Sequence, residues 1–186
     1  TIDFLANDAS VSVWTETTSN LHHSSFITNI DTIITPFTTS DFENFQPEIL
    51  VTFGGMVVSK RIKAFLRKYK PKHHWHIDSL RAYDTFGALT QHFEMEPQLF
   101  FDHFIPLIKV VESDYSQQLI EIKSTRKLKH DAYLASVPFS DFTVFEKIMP
   151  RIPRRRQRRR LHESAYLPKA HAFLPLGRMR TRHWRI

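Results

Sequence analysis

Residues 48–66 read EILVTFGGMVVSKRIKAFL, and they predict the central elements of the fold. Residues 48–53 form a continuous apolar run of strand length, which is typical of a strand covered on both faces in a parallel sheet. From residue 57 to residue 69, apolar side chains recur at helical spacing with cations between them, which predicts an amphipathic helix. The Gly54-Gly55 pair supplies the turn that joins strand and helix.

The segments around this stretch extend the same pattern. Pro71 ends the predicted helix, and residues 73–78 indicate the next strand, so a βαβ unit of about 30 residues is expected, with a right-handed crossover. Residues 88–93 predict a further strand, and the alternation of residues 10–14 predicts one upstream. The sequence therefore predicts an α/β fold with an open, doubly wound, mostly parallel sheet that is Rossmann-like.

The other segments are assigned from caps, prolines and apolar spacing. A loop is expected over residues 42–47, and residues 31–34 suit either a helical turn or a brief strand. Pro106 implies a kink or an early end in the helix that Pro97 opens. Further helices are predicted from Pro97 to about Lys109, from Glu112 to Leu134, and from a cap at Ser140 or Asp141 to about Met149.

Charge is divided unequally along the 186-residue chain, whose formal net charge is +7. Residues 1–150 carry a net −4, whereas residues 151–186 hold 12 Lys and Arg against one acid, a net +11. The absence of cysteine excludes disulfides and thiolate metal sites and fits a cytoplasmic location. No apolar run of about 18 residues is present, so no membrane span is expected, and the first residues do not resemble a secretory signal.

The predicted helix after the Gly54-Gly55 turn begins with cations, although a helix N-terminus carries partial positive charge. The Ser59 hydroxyl, the Lys60 and Arg61 side chains and the backbone N–H groups of residues 57–59 can converge on a carboxylate or phosphate. The alternative is that both cations point into solvent, at a cost of a few tenths of a kcal/mol.

Other chemistry finds less support. The glycines lack the G-x-G-x-x-G spacing of a dinucleotide site. His74 with His76, and the pair His22-His23, have no further ligand at a recognisable metal spacing and are interpreted as surface or packing histidines. Ser19 lacks the G-x-S-x-G context of a nucleophile and is interpreted as a cap or turn residue.

Residues 154–160 read RRRQRRR, and the composition changes abruptly there. This run repels itself and would bind RNA or DNA phosphates with steep salt dependence. No aromatic stacking motif of an RNA-binding fold accompanies it. We expect residues 154–186 to be an irregular or disordered basic tail.

Three motifs together resemble a known family: ETTSNL at residues 16–21, FGG followed by SKR at residues 53–61, and HID at residues 76–78. They are similar to the middle domain of the thiamine diphosphate-dependent synthases that make 2-succinyl-5-enolpyruvyl-6-hydroxy-3-cyclohexene-1-carboxylate. On this resemblance, residues 1–136 are the middle α/β domain and residues 137–153 are the linker and first helix of the following domain. Residues 154–186 do not resemble the family.

The resemblance implies a transferase of menaquinone biosynthesis that decarboxylates 2-oxoglutarate and adds the resulting unit to isochorismate. Thiamine diphosphate and Mg²⁺ would be bound by the other two domains of a homo-oligomeric, cytoplasmic parent enzyme, and this chain alone would bind neither and be inactive. Because both substrates are polyanionic, the resemblance assigns substrate binding to Lys60 and Arg61, with Ser59 beside them. No catalytic residue is assigned to this chain.

Two other functions remain open on the sequence. A nucleic-acid-binding protein would act only through the basic tail, and deleting residues 154–186 would then abolish a salt-sensitive interaction. A non-catalytic assembly domain would instead show a mass that depends on concentration in sedimentation.

Overall fold

The computed structural model describes residues 2–19, 21–109, 111–151 and 172–176. The chain divides into two compact units. Unit 1 contains residues 1–123 and 169–186, and unit 2 contains residues 124–168, as far as these are described. None of the described helices reaches the length and hydropathy that a membrane span requires.

Short strands and helices alternate along the described chain. The strands are β1 (Trp14–Thr15), β2 (Ile49–Phe53), β3 (His73–Ile77), β4 (Leu89–Phe93) and β5 (Ala172–Leu176). The α-helices are α1 (Ile2–Asn7), α2 (Ile30–Ile34), α3 (Thr39–Asn44), α4 (Lys60–Lys68), α5 (Pro97–Phe104), α6 (Tyr115–Ser136) and α7 (Asp141–Ile148). Turns of 3₁₀-helix occupy Thr17–Ser19, Ile105–Leu107 and Met149–Arg151.

The strands form one sheet in the order β1-β5-β2-β3-β4. β2 and β3 pair in parallel with Ile49 opposite His73, and β3 pairs in parallel with β4. The helix α4 connects β2 to β3, as the βαβ pattern predicts. The parallel strands and their flanking helices confirm the α/β, Rossmann-like fold.

The strand β5 differs from the expectation of irregular structure over residues 154–186. It lies antiparallel between β1 and β2, with Ala172 opposite Phe53. An unpaired edge of β2 would leave backbone N–H and C=O groups without partners inside the fold, and β5 supplies those partners. The other residues of 154–186, including the arginine run, lie outside the described residues.

Two local expectations were wrong. The strand expected over residues 10–14 is reduced to β1, because Ser10 and Ser12 are buried like their apolar neighbours and Ser10 bonds to Asp8 in a turn. The loop expected over residues 42–47 begins instead as the end of α3. Thr38 caps that helix, and its hydroxyl accepts from the N–H of Asp41, which forms a capping box. Of the alternatives for residues 31–34, the helix is present as α2.

Two apolar clusters cover the two faces of the sheet. Along β2, Leu50 faces the cluster that α2, α4 and α6 complete, whereas Val51 faces the cluster that α1 and α5 complete. A strand buried on both faces needs apolar residues at consecutive positions, which explains Ile49, Leu50 and Val51 in β2. The first residue of α6, Tyr115, is buried in the first cluster, and its hydroxyl donates to the carbonyl of Phe45 at 3.1 Å.

Unit 2 contains the second half of α6 together with α7. Ser140 is the N-cap residue of α7, as predicted for that position, and its backbone N–H donates to the Thr143 hydroxyl at 2.9 Å. Within this unit, Glu146 Oε1 lies 3.2 Å from His130 Nε2, and the ring of Phe142 packs edge-on against the His130 ring.

Candidate functional site

The carboxyl ends of β2 and β3 meet at one edge of the sheet, where ligands gather in open α/β folds. The chain leaves β2 through Gly54, whose φ of 78° lies in the left-handed region that glycine adopts without steric cost. Gly55 follows, and the chain then enters α4 within a few residues. The sequence therefore places the start of α4 beside the ends of the parallel strands.

A cavity of about 280 Å³ opens at this edge. Its lining includes Gly54 and Gly55 from the turn, histidines from β3, and an aromatic wall from Phe86. The polar residues of the lining are Thr52, His74, His76, Asp78, Arg81 and Thr85. The cavity thus combines aromatic side chains with a few polar groups, which is the usual composition of a small-molecule site.

The hydroxyl of Thr52 lies between two histidines, 2.9 Å from His74 Nε2 and 2.8 Å from His76 Nδ1. The second nitrogen of His74, Nδ1, is buried and has no hydrogen-bond partner among the described residues. A buried N–H without an acceptor costs more than a lone pair without a donor, so Nδ1 is the unprotonated nitrogen. His74 Nε2–H then donates to Thr52, and Thr52 donates to His76 Nδ1.

Burial keeps these histidines neutral. Desolvation lowers the pKa of His74 to about 4, with a further lowering from His76 and an opposing effect of the Asp84 carboxylate. Burial also lowers the pKa of His76, against the carboxylate of Asp78, which raises it. At neutral pH the cavity floor is therefore uncharged and offers hydrogen-bonding groups only.

The mouth of the cavity carries charge. Asp78 Oδ1 accepts from the N–H of Leu80 at 2.8 Å and from the N–H of Arg81 at 3.3 Å, which orders the loop after β3. The guanidinium carbon of Arg81 lies 5.1 Å from the ring centroid of Tyr83, within cation–π range. Because Arg81 and Tyr83 are exposed, this pair is available to a ligand entering from solvent.

The start of α4 is held by two carboxylates. Ser59 is the N-cap: its hydroxyl accepts from Ile62 N–H at 3.2 Å and donates to Asp31 Oδ1. The carboxylate of Glu16 accepts from the backbone N–H groups of Val58 and Ser59 at 2.7 to 3.0 Å. The sequence predicts that the backbone N–H groups of residues 57–59 can bind an external anion. Those of residues 58 and 59 instead bind Glu16 of the same chain.

Lys60 and Arg61 are the first two residues of α4, and both are exposed. Within the part of the chain that the structure describes, neither side chain forms an ion pair. Their backbone N–H groups belong to the first turn, which has no intrahelical acceptors. Both cations are therefore free to meet an anion, which is the arrangement that the substrate-binding hypothesis requires.

Replacing Ser59 by alanine removes the cap of α4 and the bond to Asp31. We expect the free energy of unfolding to fall by about 1 kcal/mol, as for other N-cap serines. Urea titration of the variant beside Ser79→Ala, in which an exposed serine outside any helix is replaced, measures the effect. Equal stability of the two variants would contradict the capping role.

Sequence reasoning identified the two cations and their serine but missed Glu16, Asp31 and the Thr52 network. Glu16 lies 42 residues before the N–H of Val58 that it binds, so no local pattern joins them. Thr52 carries no sequence signal of its own, because its role depends on hydrogen bonds to His74 and His76 of the neighbouring strand β3. The histidines were interpreted as surface or packing residues; His74 does pack, with its ring edge-on to Phe86.

Within the described residues, no group of three or more His, Asp or Glu is arranged to hold a metal ion. The His74 and His76 pair is occupied with Thr52, as described above.

Comparison with known proteins gives one consistent result. No protein-family model matches the chain, and no solved structure matches it. It is 67% identical over 152 residues to the 2-succinyl-5-enolpyruvyl-6-hydroxy-3-cyclohexene-1-carboxylate synthase of Flavobacterium psychrophilum, covering 82% of this chain and 28% of the relative. The synthase of the same name from Flavobacterium johnsoniae is 56% identical over 164 residues, covering 88% and 30%. That of Christiangramia forsetii is 49% identical over 158 residues, covering 82% and 27%.

These matches cover most of this chain but little of each relative. The chain spans less than a third of the length of the curated relatives that it matches. Identity above half over 152 residues far exceeds what unrelated chains share, and it agrees with the motifs at residues 16–21, 53–61 and 76–78. The chain therefore belongs, as a segment, to the family of 2-succinyl-5-enolpyruvyl-6-hydroxy-3-cyclohexene-1-carboxylate synthases.

Proposed function

We propose that this chain is the middle domain of such a synthase and supplies cations that bind the acid groups of its substrates. The parent enzyme would decarboxylate 2-oxoglutarate and add the remaining four-carbon unit to isochorismate, a step of menaquinone biosynthesis. The product named for the relatives carries three acid groups, on its succinyl, enolpyruvyl and ring positions. An enzyme that assembles a triply acidic product needs fixed positive charge around it.

The observation that carries this proposal is the placement of Lys60 and Arg61. Both are exposed in the first turn of α4, beside the carboxyl ends of the parallel strands, and both are free of ion pairs within the described residues. The two side chains leave the helix about 100° apart, so they reach different positions. We assign one substrate carboxylate to Lys60, with Arg61 available to a second acid group or to another part of the same ligand.

Thiamine diphosphate and a divalent metal would supply the carbanion chemistry of the parent enzyme. From the resemblance to the middle domain of the family, we assign both groups to the other domains of the synthase, outside this chain. The role proposed here is to bind and orient acid groups. The isolated chain is then expected to be inactive, and the parent is expected to work as a homo-oligomer.

The test is made in a complete synthase that contains this segment. Replacing Lys60 by alanine should raise the KM for one of the two acid substrates by roughly 10- to 100-fold, since a charge-assisted hydrogen bond contributes about 1.5–3 kcal/mol. Arg61→Ala should affect the other substrate or the same one more weakly. Steady-state kinetics with each substrate varied in turn measures both.

Lys68→Ala is the matched control, because Lys68 is an exposed cation in the last turn of the same helix. Its kinetics should stay within about twofold of the wild type, which is about 0.4 kcal/mol. Unchanged KM values in both Lys60→Ala and Arg61→Ala would overturn the proposed role of these cations.

A further inference from the structure

In doubly wound folds that bind phosphates, the anion lies on backbone N–H groups at the N-terminus of the helix that follows a strand. In this chain a carboxylate already occupies that position. Glu16 Oε1 accepts from Ser59 N–H at 2.7 Å and from Val58 N–H at 3.0 Å. Glu16 Oε2 accepts from Val58 N–H at 2.8 Å.

This arrangement differs from an ordinary helix cap. The N-cap function belongs to Ser59, whose hydroxyl accepts from Ile62 N–H. Glu16 comes from a different element, directly after β1, and binds the two N–H groups that precede the first turn of α4. The Asp31 carboxylate accepts from the Ser59 hydroxyl on the same side of the loop. The loop before Lys60 is thus fixed by contacts that need a negative group.

We propose that Glu16 is a positioning residue for anion binding: it fills the backbone anion position at residues 58 and 59 and thereby directs an external carboxylate to Lys60 and Arg61. The second part, the directing of an external carboxylate to Lys60 and Arg61, rests on the proposed function. The first part, the filling of the backbone anion position, does not. A second carboxylate is repelled by Glu16 from the filled position, while the side chains and free N–H groups of the first turn stay available. Glu16 also fixes the loop from which both cations extend.

The proposal predicts a latent site. Without the Glu16 side chain, the N–H groups of Val58 and Ser59 lose their acceptors and face the space that the carboxylate left. A small external carboxylate then has the same two donors to bind, at the partial positive charge of the α4 N-terminus. A residue that only filled space would leave no such preference for an anion.

The probe is sodium formate, the smallest carboxylate, added at constant ionic strength to the full 186-residue chain while backbone amide chemical shifts are followed. In the wild type, formate should shift the amides of Lys60 and Arg61 and leave those of Val58 and Ser59 in place. In Glu16→Ala, formate should shift Val58 and Ser59 saturably, at concentrations at least about tenfold below the highest one that leaves these amides unchanged in the wild type. Tenfold corresponds to about 1.4 kcal/mol.

Two further variants complete the experiment. Glu43→Ala is the matched control, an exposed glutamate of α3 whose loss should leave the wild-type pattern. Glu16→Gln keeps one oxygen acceptor with the same side-chain length, so it serves if the alanine variant does not fold. Before formate is added, the amide shifts of Val58 and Ser59 in Glu16→Gln should differ from those of the wild type. Their response to formate should lie between the responses of the wild type and the alanine variant.

The outcomes separate the two proposals. Formate that leaves Val58 and Ser59 unchanged in Glu16→Ala and in Glu16→Gln overturns the role of Glu16, whatever happens at Lys60. Equal movement of these amides in the wild type overturns it too. If the latent site is present but formate does not shift Lys60 or Arg61 in the wild type, the substrate-binding role of the cations and the directing role of Glu16 fail. Only the first part of the proposal, that Glu16 fills the backbone anion position, would then remain.

Discussion

Replacing Leu50 by alanine is expected to lower the free energy of unfolding by about 3–5 kcal/mol, the range measured for fully buried leucines. Leu50 lies at the second position of β2 and is 0% exposed. It faces the apolar cluster that contains Ile62 and Leu66 of α4. The alanine variant loses the transfer free energy of the removed atoms. It also leaves a cavity that β2 cannot move to fill, because the strand is paired on both sides.

Urea unfolding of the full chain, followed by circular dichroism, measures this effect through the transition midpoint. The matched control is Leu80→Ala, since Leu80 is 74% exposed in the loop after β3. That variant should stay within about 0.5 kcal/mol of the wild type. A loss below about 1 kcal/mol in Leu50→Ala would contradict the packing of β2 between two layers.

Acidification is expected to destabilise the fold through His74. The pKa of this buried histidine is lowered from 6.5 to about 4, chiefly by desolvation. The unfolded chain therefore binds the proton more readily than the folded one between these values, and the contribution of neutral His74 is lost as pH falls from 6.5 towards 4. The loss by pH 4 is about 3 kcal/mol. Well above pH 6.5, where His74 is unprotonated in both states, this contribution does not change.

The measurement is a series of urea titrations between pH 4 and pH 7.5 on the wild type and on His74→Gln. Glutamine does not titrate, and its amide retains a donor for the Thr52 hydroxyl. The variant should be less stable at neutral pH but lose about 3 kcal/mol less than the wild type on acidification. His22→Gln, in which an exposed histidine is replaced, should follow the wild-type profile. Parallel profiles for wild type and His74→Gln would show that His74 is not the responsible group.

Much of the fold could be predicted because the central elements carry their own signals. The apolar run of residues 48–53 gave β2 to within one residue, since a doubly covered strand must be apolar on both sides. Ser59 marks the start of α4 because its hydroxyl can cap the helix, although the apolar spacing alone suggested a start at residue 57. Pro106 ended α5 early, as a proline within a helix should.

The other features depend on contacts between distant parts of the chain. β5 is five residues long, and it pairs Leu176 with Ile49 across 127 residues of chain, so no local pattern predicts this contact. The anion position at the start of α4 was recognised from the strand–turn–helix pattern, but its occupant was not. Glu16 and Asp31 reach the loop before Lys60 from other elements, and only the folded chain brings them there.

The strand order has a consequence for the sequence of folding events. Ile49 pairs with His73 across 24 residues of chain, whereas it pairs with Leu176 across 127 residues. Closing the longer loop costs roughly 1.5 kcal/mol more in chain entropy, since each doubling of loop length adds about 0.6 kcal/mol. We therefore expect the βαβ half to be the nucleus and β5 to join it later, together with β1, which pairs with β5. Until it does, β2 is a sheet edge, and during that interval the folding chain is most exposed to pairing with another molecule.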